Sequence, residues 1–196
     1  MSTLAVTTPR RVLADVVASS LRADALLVAG GAAFVGLLAQ ISFYIHPFTA
    51  VPFTGQTLGV LLVGSTLGLR RAVASMVLYV VVGLAGVPWF AGGTSGFPTH
   101  LFGYLLGFVL SVSLTSWLAS KGNDRNVVSA LGLFVLGELA IYCVGVPWLA
   151  LSLHVSIGEA ISLGMTPYLL FDLMKAVGAG TLLPATWRLV DRSDAA

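Results

Sequence analysis

The chain is 196 residues long, with 9% charged residues, 57% hydrophobic residues and a formal net charge of +2. A soluble domain averages about 25% charged residues, and the mean hydropathy here is +0.96. That balance excludes an ordinary soluble domain, and the absence of a basic face excludes a nucleic-acid partner. Cys143 is the sole cysteine, so an internal disulfide is excluded, and His46, His100 and His154 lack any metal-ligand spacing.

Two long stretches carry no Asp, Glu, Lys or Arg: from Asp24 to Arg70 and from Arg71 to Lys121. Each is about twice the roughly 20 residues that one transmembrane helix needs. The chain therefore reads as an all-α integral membrane protein with three parts in sequence: a cytoplasmic segment over 1–24, a six-helix transmembrane domain over 25–189 and a cytoplasmic tail over 190–196.

In chain order, Arg10 and Arg11 precede VLADVVASSLRAD, which is too polar for the apolar core of a signal peptide. Its apolar residues, Val12, Leu13, Val16, Val17 and Leu21, recur at helical spacing and predict a short helix lying on the membrane surface. Helix 1 is expected over 25–45, with Ala25, Ala29 and Ala33 forming a small-residue stripe beside Gly30 and Gly31. Such a stripe lets another helix approach closely, whether within the chain or from a separate subunit. Pro47 and Pro52 then break the helix.

Helix 2 is expected over 56–69 and helix 3 over 72–85, followed by the irregular stretch GVPWFAGGTSGFPT. Helix 4 is placed over 100–119, helix 5 over 126–145 and helix 6 over 166–189. Arg10, Arg11, Arg22, Arg70, Arg71, Lys121, Arg125, Arg188 and Arg192 all fall at the N-terminus, the even-numbered junctions or the C-terminus. The positive-inside rule then puts both termini in the cytoplasm and the three odd-numbered loops outside. Those loops carry Trp89 and Trp148, candidates for interfacial anchors, and their Pro- and Gly-rich backbone suits a segment that lines a cavity.

Asp172 and Lys175 break the apolar run TPYLLFDLMKAVGAG. Three residues apart on a helix, they share a face and can pair. A charge at membrane depth costs at least about 2.5–3.5 kcal/mol on insertion scales, so such a pair marks a functional cavity more often than a structural fastening. Lys175 would meet a carboxylate or carbonyl, and Asp172 would accept from N–H donors. Glu138 is a third charge in an apolar helix, expected to pair with a polar partner on the cytoplasmic half. Gly93-Thr94-Ser95-Gly96 fits the GxSG pattern of rhomboid intramembrane proteases, yet a serine hydrolase also needs a His base, and His100 and His154 are both poorly placed. A flexible loop is the preferred reading. The chain lacks a Walker-type phosphate loop, so uphill transport would need a partner or an ion gradient.

VPFTGQTLGVLLVG (51–64), LYVVVGLAGVPWFAGGTSG (78–96), GYLLGF (103–108) and PYLLFDLMKA (167–176) together resemble the BioY family, the biotin-binding S components of energy-coupling factor (ECF) transporters. The likeness covers about residues 25–189. It implies capture of biotin from outside by a prokaryotic plasma-membrane protein set in lipid, with a transmembrane coupling subunit and two ATPase subunits as partners. It implies no enzyme activity and no cofactor in this chain, since ATP would be used by the partners. By the same likeness the ligand residues are Asp172, Lys175 and Tyr104, with Phe90, Gly92 and Gly93 of the FAGG loop, Trp89 beside it, and Thr54 and Gln56 at the rim. Ala29 and Ala33 match the surface that packs on the coupling subunit. One departure stands out: family members read Gly-Pro-Thr-Gly-Gly-Tyr before helix 4, whereas this chain reads FPTHLFGY (97–104), which displaces Thr99 and His100 from the family's polar contact. An S component for another vitamin, and a membrane-embedded hydrolase using Ser95, are the alternatives.

Overall fold

The computed structural model describes residues 12–16, 20–44 and 50–194. Within them seven α-helices follow in order: α1 (Leu21–Ala39), α2 (Gln56–Leu67), α3 (Leu69–Leu84), α4 (Phe102–Ser120), α5 (Val127–Leu153), α6 (Ile157–Gly164) and α7 (Leu169–Asp194). A two-stranded antiparallel hairpin, β1 (Ser42–Phe43) with β2 (Phe53–Thr54), lies between α1 and α2. Six of these helices occupy the positions read from the charge gaps, and α1, α4, α5 and the α6–α7 segment are long and apolar enough to cross a membrane.

α2 is the central element. Eight of its twelve residues are buried, and it packs on α1, α3, α4, α5 and α7. Glycine makes this possible where the backbones nearly touch. A Cβ on Gly64 would lie 3.0 Å from Val112 Cα of α4, and one on Gly107 would lie 2.7 Å from Ile141 O of α5. Two hydroxyls in these contacts are satisfied by helix carbonyls: Ser65 donates to Leu61 O of its own helix at 2.8 Å, and Ser116 of α4 donates across to Gly64 O of α2 at 2.5 Å. Such internal bonding removes the cost of an unpaired polar group in an apolar core.

Arg71, Asp15, Asp24, Asp124 and Arg125 collect at one end. Arg71 binds Asp15 at 2.7 Å and Asp24 at 2.8 Å. Asp124, between α4 and α5, accepts from Trp187 Nε1 of α7 at 2.5 Å, and Arg125 lies over the same indole. The opposite end carries the C-termini of α1, α3 and α5 and the N-termini of α2, α4 and α7.

Three expectations change. The surface helix expected before α1 is a single 3₁₀ turn, Leu13–Val16, and Val12 and Ala14 are buried against the bundle. Arg71 holds Asp15 there, and Val12 fills the space beside Gly68, so the segment docks on protein; Val17 falls outside the described residues. Helix 1 ends at Ala39 instead of 45, because the backbone pairs into the hairpin and Gly55 N bonds Ile41 O at 3.1 Å. Helix 5 does not stop at 145: α5 runs through Pro147 to Leu153, where His154 caps it with φ 58°. Pro147 costs one intrahelical bond but its φ is compatible with a helix, and buried Val146 and Leu149 hold the last turns against the bundle. Trp148 therefore sits within a helix, and α6 fills what was read as loop.

Candidate functional site

A cavity with about 70 Å³ of internal space opens at the end of the bundle away from Arg71, Asp124 and Arg125. α2 is only twelve residues long, about 18 Å at 1.5 Å per residue. It thus falls short of the roughly 30 Å hydrocarbon core, and the space beyond its N-terminus is this cavity.

Apolar walls come from Phe90, Leu101, Leu105, Phe108 and Ile141. Phe90 is 3% exposed and its ring occupies the place a Cβ on Gly83 would take. Tyr104 lies flat against Gly145, where a Cβ would come 2.5 Å from its ring, and its hydroxyl donates to Gly164 O at 2.9 Å. That bond ties α4 to the end of α6.

Polar groups gather where α2, α5 and α7 meet. Lys175 Nζ donates to Asp172 Oδ1 at 3.0 Å and to Thr57 Oγ1 at 2.8 Å. Asp172 Oδ2 accepts a short hydrogen bond from the Tyr142 hydroxyl. Both residues line the cavity, so the pair faces that space and is not sealed between helices. The start of α7 is fixed by aromatic packing: Phe53 of the hairpin stacks on Phe43 at 5.2 Å and meets Tyr168 at 4.5 Å and Phe171 at 4.9 Å. The Tyr168 hydroxyl also bonds Val51 O. The hairpin that sequence reading missed thus sets the position of Asp172.

Among the residues singled out in the sequence, Thr54, Gln56, Phe90, Tyr104, Asp172 and Lys175 line this one cavity. Gly92 and Gly93 do not. With φ of 65° and 77° they turn the loop so that Phe90 and Thr94 pair, and their role there is conformational. Trp89 also stands behind the wall: its Nε1 donates to Tyr79 O at 3.0 Å and its ring packs on Tyr79. Thr99 and His100 lie off the lining, while their neighbours Pro98 and Leu101 form part of it. Ala29 and Ala33 are exposed on α1, on the face opposite Gly31 and Ala32, which pack inward.

Glu138 corrects an expectation. It is buried, and neither carboxylate oxygen has a hydrogen bond of good geometry among the described residues. It faces Thr57 and the charges of Asp172 and Lys175, one helical turn from Tyr142, so it stands behind the lining next to the Asp172–Lys175 pair instead of pairing on the cytoplasmic half. Ser95 is exposed and hydrogen-bonds neither His100, whose Nδ1 meets Ser152 Oγ at 3.3 Å, nor His154. The described residues contain no nucleophile–base pair around it. Sequence reading did not single out Thr57, Tyr142 or Tyr168. Tyr142 carried one signal, its spacing of four from Glu138, which puts both on one face of α5.

The family model described as the BioY family matches residues 10–192. The chain belongs to the BioY family. It is 34% identical over 154 residues to biotin transporter BioY2 of Lactococcus lactis, covering 77% of this chain and 82% of that protein. It is 34% identical over 171 residues to the probable biotin transporter BioY of Bacillus subtilis, covering 83% of this chain and 91% of that protein. The fold superposes on the crystal structure of the S-component for biotin from an ECF-type ABC transporter, with TM-score 0.73 and 20% identity, covering 87% of this chain and 95% of that one. α1–α5 and α7 form the six-helix bundle of that fold, and the short α6 lies between α5 and α7.

Proposed function

We propose that this BioY protein is the substrate-binding membrane subunit of an ECF-type importer, capturing biotin on the extracytoplasmic side for ATP-driven uptake by partner subunits. The observation that carries the reading is the Asp172–Lys175 pair in a cavity otherwise lined by aromatic, aliphatic and uncharged polar side chains. A ligand with an apolar bicyclic body, a ureido group that donates and accepts, and an anionic tail matches aromatic walls plus one acceptor and one cation. The named relatives supply the ligand class. The family match supports placement in a prokaryotic plasma membrane, and the gathering of Arg22, Arg70, Arg71, Lys121, Arg125, Arg188 and Arg192 at the end opposite the cavity supports cytoplasmic termini. The cavity then faces outward. This chain contributes binding and movement, while a coupling subunit and two ATPases supply energy.

The direct test is titration of biotin into purified, biotin-free protein, read by intrinsic tryptophan fluorescence. Trp89 backs the cavity wall, so occupancy should alter its emission. Saturable binding that excess thiamin or riboflavin does not reproduce supports the reading. A folded, empty protein that answers to another vitamin in place of biotin reassigns the ligand and leaves the architecture unchanged.

A further inference from the structure

Gln56 and Tyr79 form a polar link between the first external segment and the wall loop after α3. Gln56 is the first residue of α2 and lines the cavity, 6% exposed. Tyr79 is fully buried on α3 and does not reach the cavity. Its hydroxyl lies 2.7 Å from Gln56 Nε2 and 3.2 Å from Trp89 O.

A phenol has one hydrogen to donate. The Trp89 carbonyl is acceptor only, so that hydrogen goes to Trp89 O, and the phenol oxygen is left to accept. Only an N–H can fill that place, which fixes the Gln56 amide with nitrogen toward Tyr79. The Gln56 Oε1 bonds none of the described residues and is left as a free acceptor at a cavity-lining position. Trp89 is held independently by its own Nε1 bond to Tyr79 O and by Gln40 Nε2, which reaches Trp89 O at 3.3 Å. The hydroxyl therefore has a duty separable from fixing the loop.

We propose that Tyr79 is a positioning residue for ligand specificity: it orients Gln56 so that Oε1 accepts an N–H of the ligand, selecting a cyclic urea or amide over an analogue without that hydrogen. This rests on the reading of biotin as ligand. It assigns to an otherwise invisible core tyrosine the discrimination of a donor on the ligand's head group. A buried acceptor facing a ligand that lacks the donor is left unpaired, and such mismatches carry large discrimination.

The experiment compares affinities for biotin and for its two mono-N-methyl ureido derivatives, in wild type and in Tyr79→Phe, with folding checked by thermal melting. In wild type, at least one methyl derivative should bind more weakly than biotin. In Tyr79→Phe, biotin affinity should fall about tenfold while that derivative changes little, so the ratio between them shrinks about tenfold. A merely structural tyrosine would weaken all three ligands alike and leave the ratios intact, which overturns the proposal, as does an unchanged biotin affinity. Should Tyr79→Phe not fold, Gln56→Met carries the test: wild-type ratios in that variant overturn the proposal, and the same contraction supports it. Failure of the wild type to bind biotin at all would instead refute the functional reading.

Discussion

Lys175 of α7 and Thr57 of α2 are joined in the cavity lining by a 2.8 Å bond from Nζ to Oγ1, while Nζ also reaches Asp172 at 3.0 Å. The cation is thus aimed by two helices. Removing one charge of a buried pair strands the other. Lys175→Ala or Asp172→Asn should weaken biotin binding by about tenfold or more, which corresponds to about 1.4 kcal/mol. Thr57→Val keeps both charges and loses only the aim, so a smaller loss, roughly threefold to tenfold, is expected. Isothermal titration on the three variants tests this. Wild-type affinity in both charge variants would remove the pair from the site.

Tyr104 depends on two glycines from different helices. A side chain at Gly145 would meet its ring at 2.5 Å, and one at Gly164 would meet its hydroxyl. Gly145→Val should force the ring out of the cavity wall, with an overpacking cost of about 1–3 kcal/mol. For a chain of this size that lowers the melting temperature by roughly 2–12 °C and weakens biotin binding together with it. Tyr104→Ala in the same chain should recover part of the melting temperature. Simple additivity of the two variants would show that the ring and residue 145 do not touch.

Six helices were legible because charge is so rare here that polar clusters mark every second turn, with Pro- and Gly-rich stretches marking the turns between. Asp172 and Lys175 were legible for the same reason: an acid and a base three apart, inside an apolar run, contrast with every residue around them. Tyr142 and Tyr79 were not. A tyrosine in an apolar helix reads as core or as a bilayer anchor, and their partners lie 30 and 23 residues away in sequence. Such bonds follow from helix packing, which spacing does not reveal. The Ser42–Phe43 and Phe53–Thr54 strands are two residues each and carry no alternation to read. Helix 5 was read as ending at 145, whereas the bundle supplies enough packing to carry α5 past Pro147 to Leu153.

Asp124 lies in the turn between α4 and α5, 1% exposed, and burial pushes its carboxyl above the usual aspartate range despite the bond from Trp187. The folded protein therefore holds this proton more tightly than the unfolded chain. Stability from that difference is complete below the unfolded value, about 3.9, and is lost as pH rises through the raised folded value. The apparent melting temperature in detergent should fall across that window in wild type. Asp124→Asn keeps an oxygen for Trp187 Nε1 and removes the charge, so its melting curve should lose that slope. Parallel pH profiles for the two proteins would show that Asp124 does not carry it.

Ala29 and Ala33 are exposed on α1, and a side chain at Gly30 would meet no atom of the chain within 4 Å. The buried face of the same helix is used elsewhere: Gly31 abuts Ser75 and Leu67, and Gly36 abuts Trp89. Small residues facing outward allow a second helix to approach closely without disturbing the cavity. Ala29→Trp or Ala33→Trp should therefore leave biotin affinity and melting temperature in detergent near wild type, because the added ring has open space. Uptake of labelled biotin by cells that also carry the coupling and ATPase subunits should be lost, together with co-purification of the coupling subunit. Full uptake by both variants would place the docking surface on another face, and loss of binding in detergent would mean that α1 turns this face toward its own bundle.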